Sequence, residues 1–133
     1  MAIQQAIGNG ARVLLGSIRL VNGAVALFCP ELILGRLRSE PVQDPVGQYA
    51  LRLFGIRTIL IGWDLLRTDR VAQARAVRVA PLIHASDTIS ASLAARSGRL
   101  PAAAGDTIVA ISAANTGLSL LMQLANEDNP SGE

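Results

Sequence analysis

The chain has 133 residues, half of them hydrophobic, 17% charged and 3% aromatic, with a formal net charge of +2. A soluble domain usually carries about a quarter of its residues as charges, and a mean hydropathy of +0.38 places this chain on the membrane side of that norm. All 12 basic residues are Arg, scattered along the chain with few aromatics beside them, which excludes a nucleic-acid partner. The single cysteine, Cys29, and the single histidine, His84, leave no internal disulfide and no transition-metal site to expect, and no cofactor is implied.

The first predicted helix runs from Ala11 to Phe28 and stops at Cys29-Pro30, after a flexible Gly8-Asn9-Gly10 start. Arg12, Gly16, Arg19 and Gly23 share one of its faces. No basic leader or small-residue cleavage site precedes it, so the segment is expected to stay in the mature protein. Glu31 to Arg38 mixes leucines with arginines, the composition of a short interfacial helix or turn.

The second predicted helix covers Val46 to Leu66 and is entered through Asp44-Pro45. It is apolar enough to be buried, yet it carries Arg52, Arg57 and Asp64, and such charges are costly unless they pair or line a polar cavity. Arg57 and Asp64 recur at seven residues and share a face. Gly55 and Gly62 recur at the same spacing and would let a neighbouring helix come close. Tyr49 and Trp63 have the spacing of two interfacial aromatic belts.

The third predicted helix spans Val71 to Ala95, stopped by Ser97-Gly98, with His84, Asp87, Thr88 and Ala91 as one ribbon at i, i+3, i+4 and i+7. The fourth runs from Thr107 to Ala125 without a charge, with Asp106 placed as its amino-terminal cap. Ala110, Ala113, Ala114 and Gly117 make a small face for close helix contact, and Ser112, Asn115, Thr116 and Ser119 a polar face opposite. The tail from Asn126 to Glu133 reads as disordered.

The segments fit the roughly 17 to 25 residues that a span needs, and period-two alternation is absent. The expected fold is therefore all-α: a multi-pass four-helix transmembrane bundle over residues 1–125. Arginines flanking the segments balance between the two sides, so they leave the orientation open.

The candidate site is the set of polar side chains inside these apolar segments. His84 beside Asp87 is a candidate acid–base pair, with Asp64 a second acid. Arg57 and Arg19 are candidate ligands for an anionic or carbonyl oxygen, with Asn115 nearby in type. The plainer readings are a structural Arg57–Asp64 ion pair, a hydrogen-bonded core histidine, and Asn115 as interhelical glue.

Arg19-Leu20 with Gly23 and Pro30, then Arg52-Leu53-Phe54-Gly55-Ile56-Arg57 with Gly62, then the Asp87 ribbon, together resemble the small four-helix membrane proteins of the DoxX-like group. The resemblance runs from Ala11 to Ala125 and implies a four-span bundle in the cytoplasmic membrane, in a group where some members look like partners of quinone-linked oxidoreductases. It carries no catalytic residues across. The function expected from the residues is binding of a lipophilic small molecule in the polar bundle interior, with acid–base chemistry as an extension; the resemblance adds a quinone to the candidates. The alternatives are an accessory subunit of a larger membrane complex and a soluble all-helical domain, as a homo-oligomer.

Overall fold

The computed structural model describes residues 2–37 and 44–127, which form five helices joined by short connectors: α1 (Ala2–Phe28), α2 (Pro30–Leu37), α3 (Pro45–Leu66), α4 (Arg70–Arg96) and α5 (Ala102–Glu127). The four long helices are those expected, and the connector beginning at Glu31 is the short fifth, α2. Arg38 and the last six residues of the tail lie outside the described residues.

The helix ends follow local chemistry. Asp44 caps α3 by accepting a hydrogen bond from the Gly47 amide at 2.9 Å, with Pro45 at the first helical position, where its missing N–H is no loss. Asp69 caps α4 through the Val71 and Ala72 amides at 3.0 and 3.2 Å. At the far end the Ser97 amide donates to Leu93 and Ala94 carbonyls, and Gly98 follows at φ 68°, a left-handed position that glycine occupies without a Cβ penalty.

Two expected boundaries move. α1 begins at Ala2, so Gly8-Asn9-Gly10 is helical; Gly8 lies against Ala125 of α5, and this packing holds the early turns. α5 begins at Ala102, which leaves Asp106 exposed inside the helix rather than capping it, and the helix continues through Asn126 and Glu127.

Neighbours in the bundle run antiparallel. α1 packs most extensively on α3, then on α5; α4 packs on α5; and α3 meets α4 along a thinner seam. The α1–α3 crossing is a backbone-to-backbone contact made by glycines seven apart on each helix. A Cβ on Gly55 would lie 2.7 Å from both the Gly23 carbonyl oxygen and the Leu27 nitrogen, and one on Gly62 would lie 2.9 Å from the Gly16 oxygen. The spacing of Gly55 and Gly62 serves the close approach it predicted.

The interior is unusually small and polar. The buried residues of α3 are Gly55, Thr58, Gly62 and Leu65, and those of α4 are Ala76, Val77, Ala80, His84 and Ala91. The apolar core, with Ala11, Leu15, Leu65, Val77 and Met122, occupies one end of the bundle. The large apolar side chains point outward instead, among them Val21, Leu53, Ile56, Leu60, Trp63, Leu82, Ile89, Leu93 and Leu124.

The small face expected on α5 is also turned out. Ala110, Ala113, Ala114 and Gly117 are exposed, while Ser112, Asn115 and Thr116 are half-buried and Ser119 is buried. α5 turns its polar face inward because the positions it meets there, such as Thr88 on α4, offer hydrogen-bond partners. The outward stripe satisfies nothing within the chain.

Gly55→Ala should therefore destabilise the protein by about 1–3 kcal/mol, the usual cost of overpacking a closed contact. Gly117→Ala, with nothing within 4 Å of an added Cβ, should stabilise it by roughly 0.5–1 kcal/mol through helix propensity. Thermal unfolding of the two variants beside the parent checks the opposite signs.

Candidate functional site

Arg19 reaches from α1 across the diagonal of the bundle to α4. Gly62 makes room for its stem, since a Cβ there would come within 3.0 Å of the Arg19 Cβ. Arg19 is 3% exposed, and its Nη2 meets His84 Nδ1 at 2.7 Å and Asp87 Oδ2 at 3.1 Å. On the other side of the same carboxylate, Arg57 Nη2 of α3 lies 3.4 Å from Asp87 Oδ1. Asp87 is thus held between two guanidinium groups from two different helices.

The spacing of α4 explains the arrangement. His84 and Asp87 are three residues apart and fall on one face, so a single arginine from across the bundle spans both. A guanidinium carries only donors, so the His84 ring accepts from it; Nη2 lies 2.7 Å from Nδ1 and 3.2 Å from Nε2. His84 is 1% exposed, enclosed by the helices rather than open to a cavity mouth. One turn on, Thr88 hydroxyl donates to the His84 carbonyl at 2.9 Å and pairs with Thr116 of α5 at 2.9 Å. That hydroxyl contact extends the polar centre to the fourth long helix; both threonines were visible on polar faces, but their pairing was not.

Exposure grades outward along the cluster. The Asp87 side chain is 26% exposed and that of Arg57 54%, both at the α3–α4 seam. Arg57 lies over the Phe54 ring at 6.0 Å from its centroid, a cation–π contact at the edge of the useful range. Only one of its contacts is to a carboxylate, and that contact is long. Arg19 Nε and Thr58 Oγ1 are buried without a hydrogen-bond partner, so the centre is not fully satisfied by the chain's own groups.

Of the candidate residues, the structure brings together Arg19, Arg57, His84 and Asp87. Asp64 stands apart: it pairs with Arg67 at 3.5 Å on the surface of the same helix, and the expected Arg57–Asp64 pair does not form. Two turns of helix separate those residues by about 10.5 Å, too far for side chains that each find a nearer partner. Asn115 is half-buried on the inward face of α5. Among the described residues, no three His, Cys, Asp or Glu side chains gather as a metal site would need.

Arg12, placed on the Arg19 face but not among the candidate site residues, donates to the Leu65 carbonyl at the end of α3 and borders a cavity of about 510 Å³ between α1, α4 and α5. Its signal was the seven-residue spacing to Arg19. Comparison with protein-family models, with curated proteins and with solved structures finds no match.

Removing one partner from a buried ion pair strands the other, at about 3–5 kcal/mol, whereas replacing both by apolar groups is often nearly neutral. Asp87→Leu should accordingly destabilise by about 3–5 kcal/mol. Arg19→Met should cost less, because Asp87 keeps Arg57. The double variant should be more stable than Asp87→Leu alone. Unfolding of all three checks this; strict additivity would contradict the coupling.

Proposed function

We propose that the chain is a multi-pass membrane protein that binds the oxygen-bearing head of a lipophilic molecule at the α3–α4 seam, with Arg57 as the contacting residue. One observation carries the reading: the bundle buries polar groups while most of its large apolar side chains face outward. Arg19, His84, Thr58 and Ser119 are buried, while 23 large hydrophobic side chains are exposed among the described residues. Exposed apolar surface on this scale needs lipid or another chain to cover it.

Two helices, Ile3–Phe28 and Ala102–Ala125, are long and apolar enough to cross a membrane by length and composition. That test alone is weak, since the core helix of a soluble protein also passes it. Here, however, only 33% and 11% of the two apolar windows are buried within the chain, the opposite of core helices. α3 and α4 are read as spans too, with Asp87 at the α3–α4 seam offsetting one of the two guanidinium charges, Arg19 and Arg57, that meet there. Close-packed glycine and alanine inside, with leucine and isoleucine outside, is also the pattern of helices that associate in lipid. Tyr49 and Trp63, both exposed near opposite ends of α3, suit the two interfaces. The four-span layout is the one the DoxX-like resemblance implies.

Within this reading, Arg57 keeps donors free at a place that lipid-borne molecules reach laterally. Arg19, itself held by His84, holds Asp87, and Asp87 steers Arg57. Binding is favoured over acid–base catalysis, because the His84 lone pair already accepts from Arg19. A second reading, an accessory subunit of a larger membrane complex, is favoured by the outward stripe Ala110, Ala113, Ala114 and Gly117, which suits a partner helix.

The chain is expected to resist alkaline carbonate extraction and to yield to detergent. Trp63, the single tryptophan, then reports binding: decyl-benzoquinone and decanoate are titrated against its fluorescence. Saturable quenching by either probe, weakened at least tenfold in Arg57→Met, supports the site and identifies the head group it prefers. A cytosolic chain, or equal affinity in Arg57→Met, overturns it; copurification of a stoichiometric partner with no quenching supports the subunit reading instead.

A further inference from the structure

We propose that the cavity at the end of the bundle opposite α2 is a binding site for a phosphate group, filled in the membrane by the headgroup of an anionic phospholipid. The cavity is about 510 Å³, and its polar lining consists of Arg12, Arg70, Gln5, Asn9 and Gln73. Among the described residues, two guanidinium groups and three amides line it, and no carboxylate does. That imbalance selects for an anion, since two arginines sharing a cavity without an acid repel each other until something negative enters.

The arginines are held for the task in different ways. Arg12 is anchored by its donation to the Leu65 carbonyl, while its Nε is buried with no partner. Arg70 is exposed at the first residue of α4, placed to close over the ligand from the rim. The acid next to it in sequence, Asp69, is already committed to the amides of α4 and to Arg67 at 3.3 Å. Gln73 is tied to the end of α3 through the Arg67 carbonyl at 3.2 Å, which fixes the wall between them. Val77 and Met122 complete the lining on the inner side and give a glycerol or acyl segment an apolar surface.

Depth identifies the source of the phosphate. Arg12 lies seven residues from Arg19, about 10 Å along α1, and Arg19 sits with the central cluster. The cavity therefore begins roughly 10 Å from the middle of the bundle and opens outward, toward the level at which the hydrocarbon of a bilayer gives way to headgroups. The lipid source rests on the membrane reading above; the anion site rests only on the cavity and its lining.

The test uses the full chain in a neutral detergent. Thermal unfolding is followed while dioleoyl phosphatidylglycerol, dioleoyl phosphatidylcholine or inorganic phosphate is added. Phosphatidylglycerol is expected to raise the midpoint at concentrations at least tenfold below those at which inorganic phosphate does, with phosphatidylcholine weaker. Arg12→Gln should reduce that response at least tenfold. Because Arg12 also supports the end of α3, the exposed Arg70→Gln serves as the second variant, and Arg36→Gln at the opposite end should respond as the parent does. Equal potency of inorganic phosphate would uphold the anion site and overturn the lipid source, including in a chain that carbonate extraction shows to be soluble. No anion-dependent shift, or a full response in both Arg12→Gln and Arg70→Gln, overturns the site.

Discussion

A guanidinium enclosed at the centre of a helical bundle is the constraint around which the rest of this protein is arranged. An unpaired charge there would be prohibitively costly, so the neighbours of Arg19 are dictated by it. Asp87 supplies the countercharge and His84 an acceptor, and both lie on the one face of α4 that α1 meets across the diagonal. Asp87 then has a second oxygen to satisfy, and Arg57 takes it from α3. One buried charge thereby fixes the relative register of three helices.

That arrangement needs space as well as partners, and glycine provides it. Gly16 and Gly23 on α1 meet Gly55 and Gly62 on α3 so closely that the backbones touch. Gly62 also clears the stem of Arg19, and Gly55 stands two residues before Arg57. Larger residues on this seam would push α3 outward and carry Arg57 away from Asp87. The small interior and the central ion cluster are thus one design, and its consequence is that bulky apolar side chains are displaced to the outside. In water that surface would be a liability; in lipid it is the solvent-facing side.

Much of this was legible because caps and helical periodicity act locally. Asp44-Pro45, Ser97-Gly98, the paired glycines and the His84–Asp87 ribbon depend on residues within a turn or two, and a helical wheel resolves them. What a wheel cannot supply is the partner across a gap. Arg57 and Asp64 share a face, yet each finds a nearer countercharge, Asp87 on another helix and Arg67 three residues on. The small face of α5 was equally visible, but whether alanines or serines turn inward depends on what α4 offers, and Thr88 decides for the polar side. Gly8-Asn9-Gly10 reads as flexible by propensity, and the contact of Gly8 with Ala125 overrides that preference.

α1 joins the two polar regions of the molecule. Arg12 and Arg19 are two helical turns apart on one face, the first bordering the end cavity and the second locked into the central cluster. Gly16 and Gly23 continue that same row and bind the helix to α3. Because an α-helix transmits rotation and translation along its length as a near-rigid rod, the position of Arg12 in the cavity is set by the same contacts that seat Arg19 against Asp87. The ion cluster that fixes the register of α1, α3 and α4 thereby also fixes how far Arg12 projects into the cavity, and a chain with Arg19 out of register could not present the same pair of guanidinium groups at its end.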